Sequence, residues 1–470
     1  LGAKGKMILM QSDVENYANM QLVYDAAKKG LTGKLARYPK TFIKCGVRCK
    51  QYVDQTETYA AKVSGARTFP WRVMGIANED RDLPMNSLVY MLASPNRIGD
   101  TSWIKYGKSA WDWWNNWHVT GVDFKVGVNN DTYKYYIDFA SRYGIEYVIL
   151  DEGWAVKHKA DLFNVVPEID IEELVKYGAE RNVGIVLWAG YWAFDRDMEK
   201  ICEYYSGIGV KGWKIDFMDR DDQMMVDFYT RAARTAAKYH QFVDFHGAYK
   251  PVGLNRTYPN VLNYEGVHGL EQMKWSKKGT DQLTYDVTFP YIRMAAGPVD
   301  YTQGAMRNYN YRYYSPCNVD PVSQGTRCHQ LGMYVVFESP FNMLCDAPQH
   351  YEQEKECTEL IARIPTVWDE TIALDGKVGE YIVIARRSGD DWYIGGIAGQ
   401  NAHEVTLDLS FLGNGAWNIE LFKDGVNVER HAEDYKRVVV PAEGTLTVRM
   451  APGGGFAAVI SSDNAGAIRN

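Results

Sequence analysis

The run Gly207-Ile208-Gly209-Val210-Lys211-Gly212-Trp213-Lys214-Ile215-Asp216-Phe217 decides the fold. It reads as a short buried strand that carries a lysine and a carboxylate to its C-terminal end. Side chains two residues apart on a strand share a face, so Lys214 and Asp216 project together. A charged pair at the tip of an apolar strand is costly to bury unless it is paired or used. In a (β/α)8 barrel, charged groups at the C-terminal strand ends usually carry the chemistry. The plainer reading is a salt bridge that closes the strand end, since structural ion-pair networks also gather charges.

Working outward from this strand, helices and strands alternate. Tyr133 to Tyr143 reads as a helix and Glu146 to Leu150 as a buried strand; Glu172 to Arg181 is helical and Gly184 to Ala189 a strand. Met198 to Tyr205 and Asp222 to Tyr239 are helical, with strands at Phe242 to Gly247 and Val261 to Glu265. Such repeats over residues 106–370 predict a (β/α)8 barrel. A doubly wound open sheet would want a glycine-rich phosphate turn after its first strand, and none is evident. Residues 1–105 carry strand-like runs at Lys6 to Met10, Thr41 to Ile43 and Ser87 to Leu92, and read as the C-terminal part of an N-terminal β-sandwich plus a linker. Residues 371–470 return to short strands (Tyr381 to Ala385, Asp391 to Gly395, Lys436 to Val440, Phe456 to Ile460) and predict an antiparallel β-sandwich. The fold class is thus a multidomain α/β and all-β chain, a barrel flanked by two β regions.

With 470 residues, two or three structural units are expected, and 46% hydrophobic with 24% charged residues suits a soluble globular protein. A net charge of −7 leaves no basic stripe for phosphates and argues against a nucleic-acid partner. No apolar run approaches the roughly 20 residues that span a bilayer. The sequence opens at Leu1 without an initiator Met, so a removed upstream segment is expected. The seven cysteines are scattered; Cys45 and Cys49 lack a second pair for a zinc spacing and read either as a hairpin disulfide or as two free thiols.

Polar groups collect at the strand ends in order: Asp112, then Asp151 and Glu152, then Lys214 and Asp216, then Asp244 and His246, then Glu265 and Glu271. Carboxylates accept hydrogen bonds from sugar hydroxyls, and the 14 Trp and 33 Tyr can cover apolar ring faces. Asp112, Asp151, Glu152, Lys214 and His246 are candidate substrate contacts, with Trp154 and Trp192 as the sugar-facing aromatics; Trp111, Trp113 and Trp114 read as barrel core. The lesser alternative for His246 is a satisfied core histidine. Two carboxylates across a pocket are what glycoside hydrolysis requires. Asp219 to Asp222 read as the opening of the following helix, where acidic groups complement the dipole.

Four motifs in order then carry the chain onto a known family: Leu150-Asp151-Glu152-Gly153-Trp154, Lys214 to Gln223, Arg256 to Val267, and Met294 to Tyr301. Together they resemble glycoside hydrolase family 97 over essentially the whole chain. The run from Lys214 is similar to the retaining branch, whose activities include α-galactosidase and β-L-arabinopyranosidase; inverting α-glucosidases of the family lack a nucleophile at this strand end. The resemblance implies Asp216 as nucleophile, Glu271 as general acid/base, and Lys214 as a hydroxyl contact that keeps Asp216 ionised. It also implies one calcium ion near the acid, held by Glu265 and Glu271 and by an N-terminal residue, here Gln11 where the family has Glu. A periplasmic or secreted location, and an oligo- or polysaccharide or glycoside substrate, follow from the same resemblance. The expected activity is a retaining exo-α-galactosidase; a β-L-arabinopyranosidase would use the same pocket with a bulky side chain where C6 would sit. Rivals from other classes are a non-catalytic carbohydrate-binding barrel and a Schiff-base enzyme using Lys214, which the adjacent carboxylate would keep protonated.

Overall fold

The computed structural model describes residues 5–44, 50–157 and 159–462; Cys45 and Cys49 lie outside them. Seven parallel strands run in ring order Val261–Tyr264, Phe242–Phe245, Gly212–Asp216, Gly184–Gly190, Tyr147–Leu150, Gly107–Trp111 and Phe341–Leu344. The gap between the first and last is filled by the extended segment Val299–Gln303. Its Asp300 N–H donates to Tyr264 O at 2.8 Å, Val299 N–H donates to Glu338 O at 2.8 Å, and Gln303 O accepts from Cys345 N–H at 3.2 Å. The barrel expected from the βα alternation is therefore present, its eighth position taken by a segment without strand patterning.

Strand alternation sorts the side chains into two layers. Val148, Leu150, Ile185, Leu187, Trp213, Ile215, Val243 and Phe245 face outward and pack under the helices. Tyr147, Ile149, Val186, Phe242, Phe341 and Met343 face inward. Tyr147, Phe242 and Phe341 meet with ring centroids 4.9–5.6 Å apart and plug the barrel near the strand starts. Above this plug the inward positions turn polar, and that change in side-chain chemistry places the site at the C-terminal strand ends. A larger cavity, of about 950 Å³, opens at the opposite end beside Tyr147, Gly184 and Phe242; it contains none of the charged strand-end residues.

The helices begin where side chains can satisfy free N–H groups. Asn129, Asp170 and Asp222 accept from Thr132, Glu173 and Met225 backbone N–H, respectively. Asp222 therefore caps Gln223–Lys238, as the acidic run before that helix predicts. The helix after the Gly184–Gly190 strand is longer than its sequence suggests, Tyr191–Gly207, with a kink at Asp197. Ser87 to Leu92, expected as a strand, is instead the short helix Leu88–Leu92; a brief apolar run does not distinguish the two.

The loop between the strands Lys6–Ser12 and Met20–Asp25 sits against the barrel at its C-terminal strand ends. Asp13 N–H donates to Val252 O at 2.9 Å, Asn19 N–H to Asp221 O at 3.0 Å, and Gln223 Nε2 to Asn16 O at 3.1 Å. At the other end of the chain, a six-stranded antiparallel sheet begins at Glu370 and is faced by the pair His403–Asp408 and Thr445–Met450. It packs on the buried helix Arg327–Val336, where Gly332 lies so close that an added Cβ would stand 2.7 Å from Gly396 O. Buried Arg386 closes that helix by donating to Val335 O and Val336 O, at 2.7 and 3.1 Å. Among the described residues no helix is long and apolar enough to cross a membrane.

Candidate active site

Register carries side chains of neighbouring strands to one level. Lys214 aligns with Trp188 on one side and with Asp244 on the other. All three point inward above the aromatic plug. A cleft of about 610 Å³ opens here, lined by Asp151, Glu152, Lys214, Asp216, Glu265 and Glu271, with Trp113, Trp188 and Trp275 around it.

Lys214 is 1% exposed, and its Nζ donates to Asp151 Oδ2 at 2.8 Å. Trp111 Nε1 donates to the same oxygen at 2.7 Å, and the Lys214 ammonium lies 4.0 Å from the Trp111 ring centroid. Burial opposes the charge on Lys214, but the carboxylates of Asp151, Glu271, Asp216 and Asp300 outweigh it and hold its pKa above the usual lysine value. The lysine is a fixed cation, which removes the basis for Schiff-base chemistry.

Asp216 has both oxygens oriented. Phe217 N–H donates to Oδ1 at 2.6 Å and Trp188 Nε1 to Oδ2 at 3.2 Å. Phe217 and Asp219 take left-handed backbone, φ 68° and 45°, so the chain turns sharply off the strand end. Gly247, φ 55°, lies against this turn: a Cβ there would stand 3.1 Å from Asp216 Oδ1 and 2.9 Å from Phe217 N. Burial raises the Asp216 pKa, opposed by His246 and Lys214. Lys214 thus acts in the direction expected from sequence, although burial is the larger effect.

Glu271 is set on the 3-10 turn Leu270–Lys274. Leu270 N–H donates to Tyr301 O at 2.9 Å and Glu271 N–H to Thr302 Oγ1 at 3.1 Å, which ties the turn to the segment that closes the barrel. Its carboxyl, facing the cleft but ringed by protein, is pushed well above the ordinary range by burial and by Glu265. Glu265 accepts from Gly247 N–H at 2.7 Å and from Gln272 Nε2 at 3.4 Å.

Behind the cleft, His246 Nε2 lies 2.5 Å from Asp300 Oδ2, and its Nδ1 lies 3.9 Å from Glu271 and 4.0 Å from Glu265. Burial and Lys214 disfavour its charge, but Asp300 and Asp244 hold it well above the usual histidine pKa. Asp244 is driven far up by burial and by Asp300, and neither of its oxygens meets a donor within hydrogen-bonding distance. The other acidic group, Glu265 and Glu271 beside His246, has ligand atoms within 4.8 Å of one another and opens to the cleft. Two hard carboxylates with room for water suit calcium.

The structure does not bring all the expected residues together. Trp154 is fully buried, its Nε1 donating to Trp188 O at 2.9 Å and its ring set edge-on to Tyr205; it is core, not a sugar contact. Asp112 is also fully buried, accepting from Tyr133 OH at 2.6 Å and Trp117 Nε1 at 3.0 Å, with its pKa raised by burial, then by Asp151, to about 7. It supports the first strand end rather than lining the cleft. His246 sits beneath the cleft as a charged prop. Gln11 lines neither the cleft nor the chamber beside Glu265: its Oε1 accepts from Met20 N–H at 2.9 Å, and its Nε2 donates to Met20 O at 3.1 Å. Its amide is spent inside its own turn, so it is not placed with Glu265 and Glu271. The aromatic wall was misjudged as well. Trp111 and Trp114 are core, as read, but Trp113, Trp188 and Trp275 face the cleft. Strand parity would have found Trp188, which stands two positions after the inward-facing Val186.

Lys50, from the N-terminal region, also reaches the cleft. Its Nζ pairs with Asp219 Oδ2 at 2.5 Å and lies 4.1 Å from the Phe217 ring centroid.

Comparison with known proteins places the chain among glycoside hydrolases. Residues 113–267 match the family described as Glycoside hydrolase 97; residues 1–95 match its N-terminal region, and residues 367–461 its C-terminal, oligomerisation region. A protein of Bacteroides thetaiotaomicron named "Retaining alpha-galactosidase" is 57% identical over 455 residues, covering 96% of this chain and 69% of that protein. A "Probable retaining alpha-galactosidase" of Streptomyces bingchenggensis is 32% identical over 403 residues, 84% of this chain and 59% of that protein. Among solved structures, a Glycoside Hydrolase Family 97 enzyme from a Pseudoalteromonas species in complex with panose superposes with a TM-score of 0.85 at 27% identity, over 98% of this chain and 73% of that one. A beta-arabinopyranosidase structure superposes with a TM-score of 0.79 at 23% identity, over 97% of this chain and 70% of that one, and shares the fold.

Proposed function

The chain belongs to glycoside hydrolase family 97, and from that premise we propose that it is a retaining, exo-acting α-galactosidase with Asp216 as nucleophile and Glu271 as acid/base. The observation that carries this reading is the meeting in a single cleft of an oriented carboxylate, Asp216, with a second carboxyl, Glu271, that burial and Glu265 push well above the ordinary range. Support for the sugar comes from the 57% identical relative named as a retaining α-galactosidase.

The two environments separate the roles. Burial raises both carboxyls; the largest charge effect opposes that rise at Asp216, from His246 and then Lys214, and adds to it at Glu271, from Glu265, so that Glu271 stands well above the ordinary range. Hydrogen bonds from Phe217 and Trp188 hold the Asp216 oxygens in one orientation, which favours attack in a single direction. In the first step an Asp216 oxygen bonds to the anomeric carbon as the bond to the leaving oxygen breaks, and that oxygen takes the proton of Glu271. In the second step the Glu271 carboxylate takes a proton from water, the resulting hydroxyl bonds to the anomeric carbon, and Asp216 leaves as carboxylate. Two inversions give retention. Asp151, Glu152 and Lys214 line the cleft and would hold the sugar hydroxyls.

Glu265 and Glu271 would hold a calcium ion, whose charge would attract substrate hydroxyls on the acid side. Proton NMR of the first product from an aryl α-D-galactopyranoside tests the mechanism. The α-anomer should appear first. Early β-anomer would remove Asp216 from the nucleophile role.

A further inference from the structure

The structure assigns Trp275 as the platform for the leaving group, a contact for the sugar on the far side of the scissile bond; this rests on the proposed roles of Asp216 and Glu271. An acid/base must touch the glycosidic oxygen, so whatever leaves emerges past Glu271. Trp275 stands four residues further on, ending the same 3-10 turn, and its N–H donates to Gln272 O at 3.3 Å. Its ring lines the cleft and is 51% exposed, whereas the other cleft tryptophans are buried or half-buried.

The ring also stands on a rigid support. It meets Trp113 edge-on, with centroids 5.6 Å apart and planes at 85°. Trp113 in turn stacks on Trp111, and Lys274 clamps it by donating to its backbone oxygen at 2.8 Å with the ammonium 3.9 Å from its ring centroid. A large aromatic surface held still at the mouth of a polyol cleft matches the C–H-rich face of a pyranose. The neighbouring chamber that shares Glu265 and Gln272 with the cleft offers no tryptophan; polar groups such as Asp219, Arg220 and Asp221 line it. A sugar leaving group would stack on the Trp275 side, which favours galactosyl disaccharides and longer oligosaccharides over galactosides whose leaving group has no ring.

The test compares kcat/KM on α-D-galactopyranosyl-(1→6)-D-glucose with kcat/KM on α-D-galactopyranosyl fluoride, whose leaving group has no ring to stack. Trp275→Ala should lower the disaccharide-to-fluoride ratio at least tenfold, and Trp275→Phe, which keeps a ring, should bring it back to within about threefold of wild type. Trp275→Leu serves if the alanine variant does not fold. A ratio within threefold of wild type in the Ala or Leu variant overturns the assignment, whatever happens to the absolute rates. Failure of the wild-type enzyme to release fluoride would instead sink the galactosidase reading itself, and this assignment with it.

Discussion

Replacing Lys214 with methionine would leave Asp151 in a buried site with Trp111 Nε1 and the Glu152 N–H as donors but no counter-charge on Oδ2. Removing one partner of a buried pair commonly costs about 3–5 kcal/mol, because the other charge stays behind. An aspartate can escape by taking up a proton. From an ordinary carboxylate pKa of about 3.9, that costs about 4 kcal/mol at pH 7 and about 1.5 kcal/mol at pH 5, at about 1.4 kcal/mol per pH unit. The loss should therefore be 3–4 kcal/mol at pH 7 on that scale and shrink to about half or less at pH 5. The sign follows from linkage: the raised pKa of Lys214 makes its stabilising contribution fully present below the usual lysine value, so wild type does not weaken between pH 7 and 5 on its account. Urea unfolding at the two pH values, followed by tryptophan fluorescence, measures the difference. The double variant Lys214→Met/Asp151→Asn, with neither charge, should recover most of the loss. An equal deficit at both pH values, or no recovery in the double variant, would refute the claim that a stranded carboxylate is the cause.

Three further outcomes are expected. Asp216→Gly and Glu271→Ala should each lower turnover of an aryl α-galactoside by at least about 10²-fold; azide should rescue the first to the β-galactosyl azide and the second to the α-azide, read by NMR. Glu265→Gln removes a carboxylate that raises Glu271, so the basic limb of the kcat/KM profile, measured in excess chelator, should move to lower pH; calcium should raise the Tm of wild type and not that of the variant. Gly247→Ala places a methyl beside Asp216 Oδ1 on left-handed backbone, a strain of about 1–2 kcal/mol, and should cut kcat more than tenfold while circular dichroism stays unchanged.

Much of this architecture was legible in the sequence because a barrel strand obeys a simple parity. Lys214 and Asp216 had to share a face, and the βα alternation around them left few folds to choose from. What escaped lies where the backbone leaves regular structure. Asp112 and Trp154 follow strand ends, as Glu152 does, but loop direction rather than period decides which of them meets the cleft. The closing segment Val299–Gln303 has no alternation to announce it, since its hydrogen bonds go to loop and strand partners on both sides. Trp275 sits alone in a polar stretch, and only its proximity to Trp113 in space gives it a role. Gln11 was matched by motif position, and in the fold its amide bonds to the Met20 backbone.

The reach of Lys50 bears on how this molecule can be cut. Both carboxylates and their supports lie between residues 151 and 303, so a fragment containing the barrel would keep every group assigned to bond making and breaking. It would lose the ammonium that pins Asp219 and covers Phe217, the residue whose N–H orients Asp216. Such an excised barrel would carry the full set of reacting groups with one wall of the vessel gone, and its turnover would report how much of the catalytic power belongs to a part of the chain that performs no chemistry.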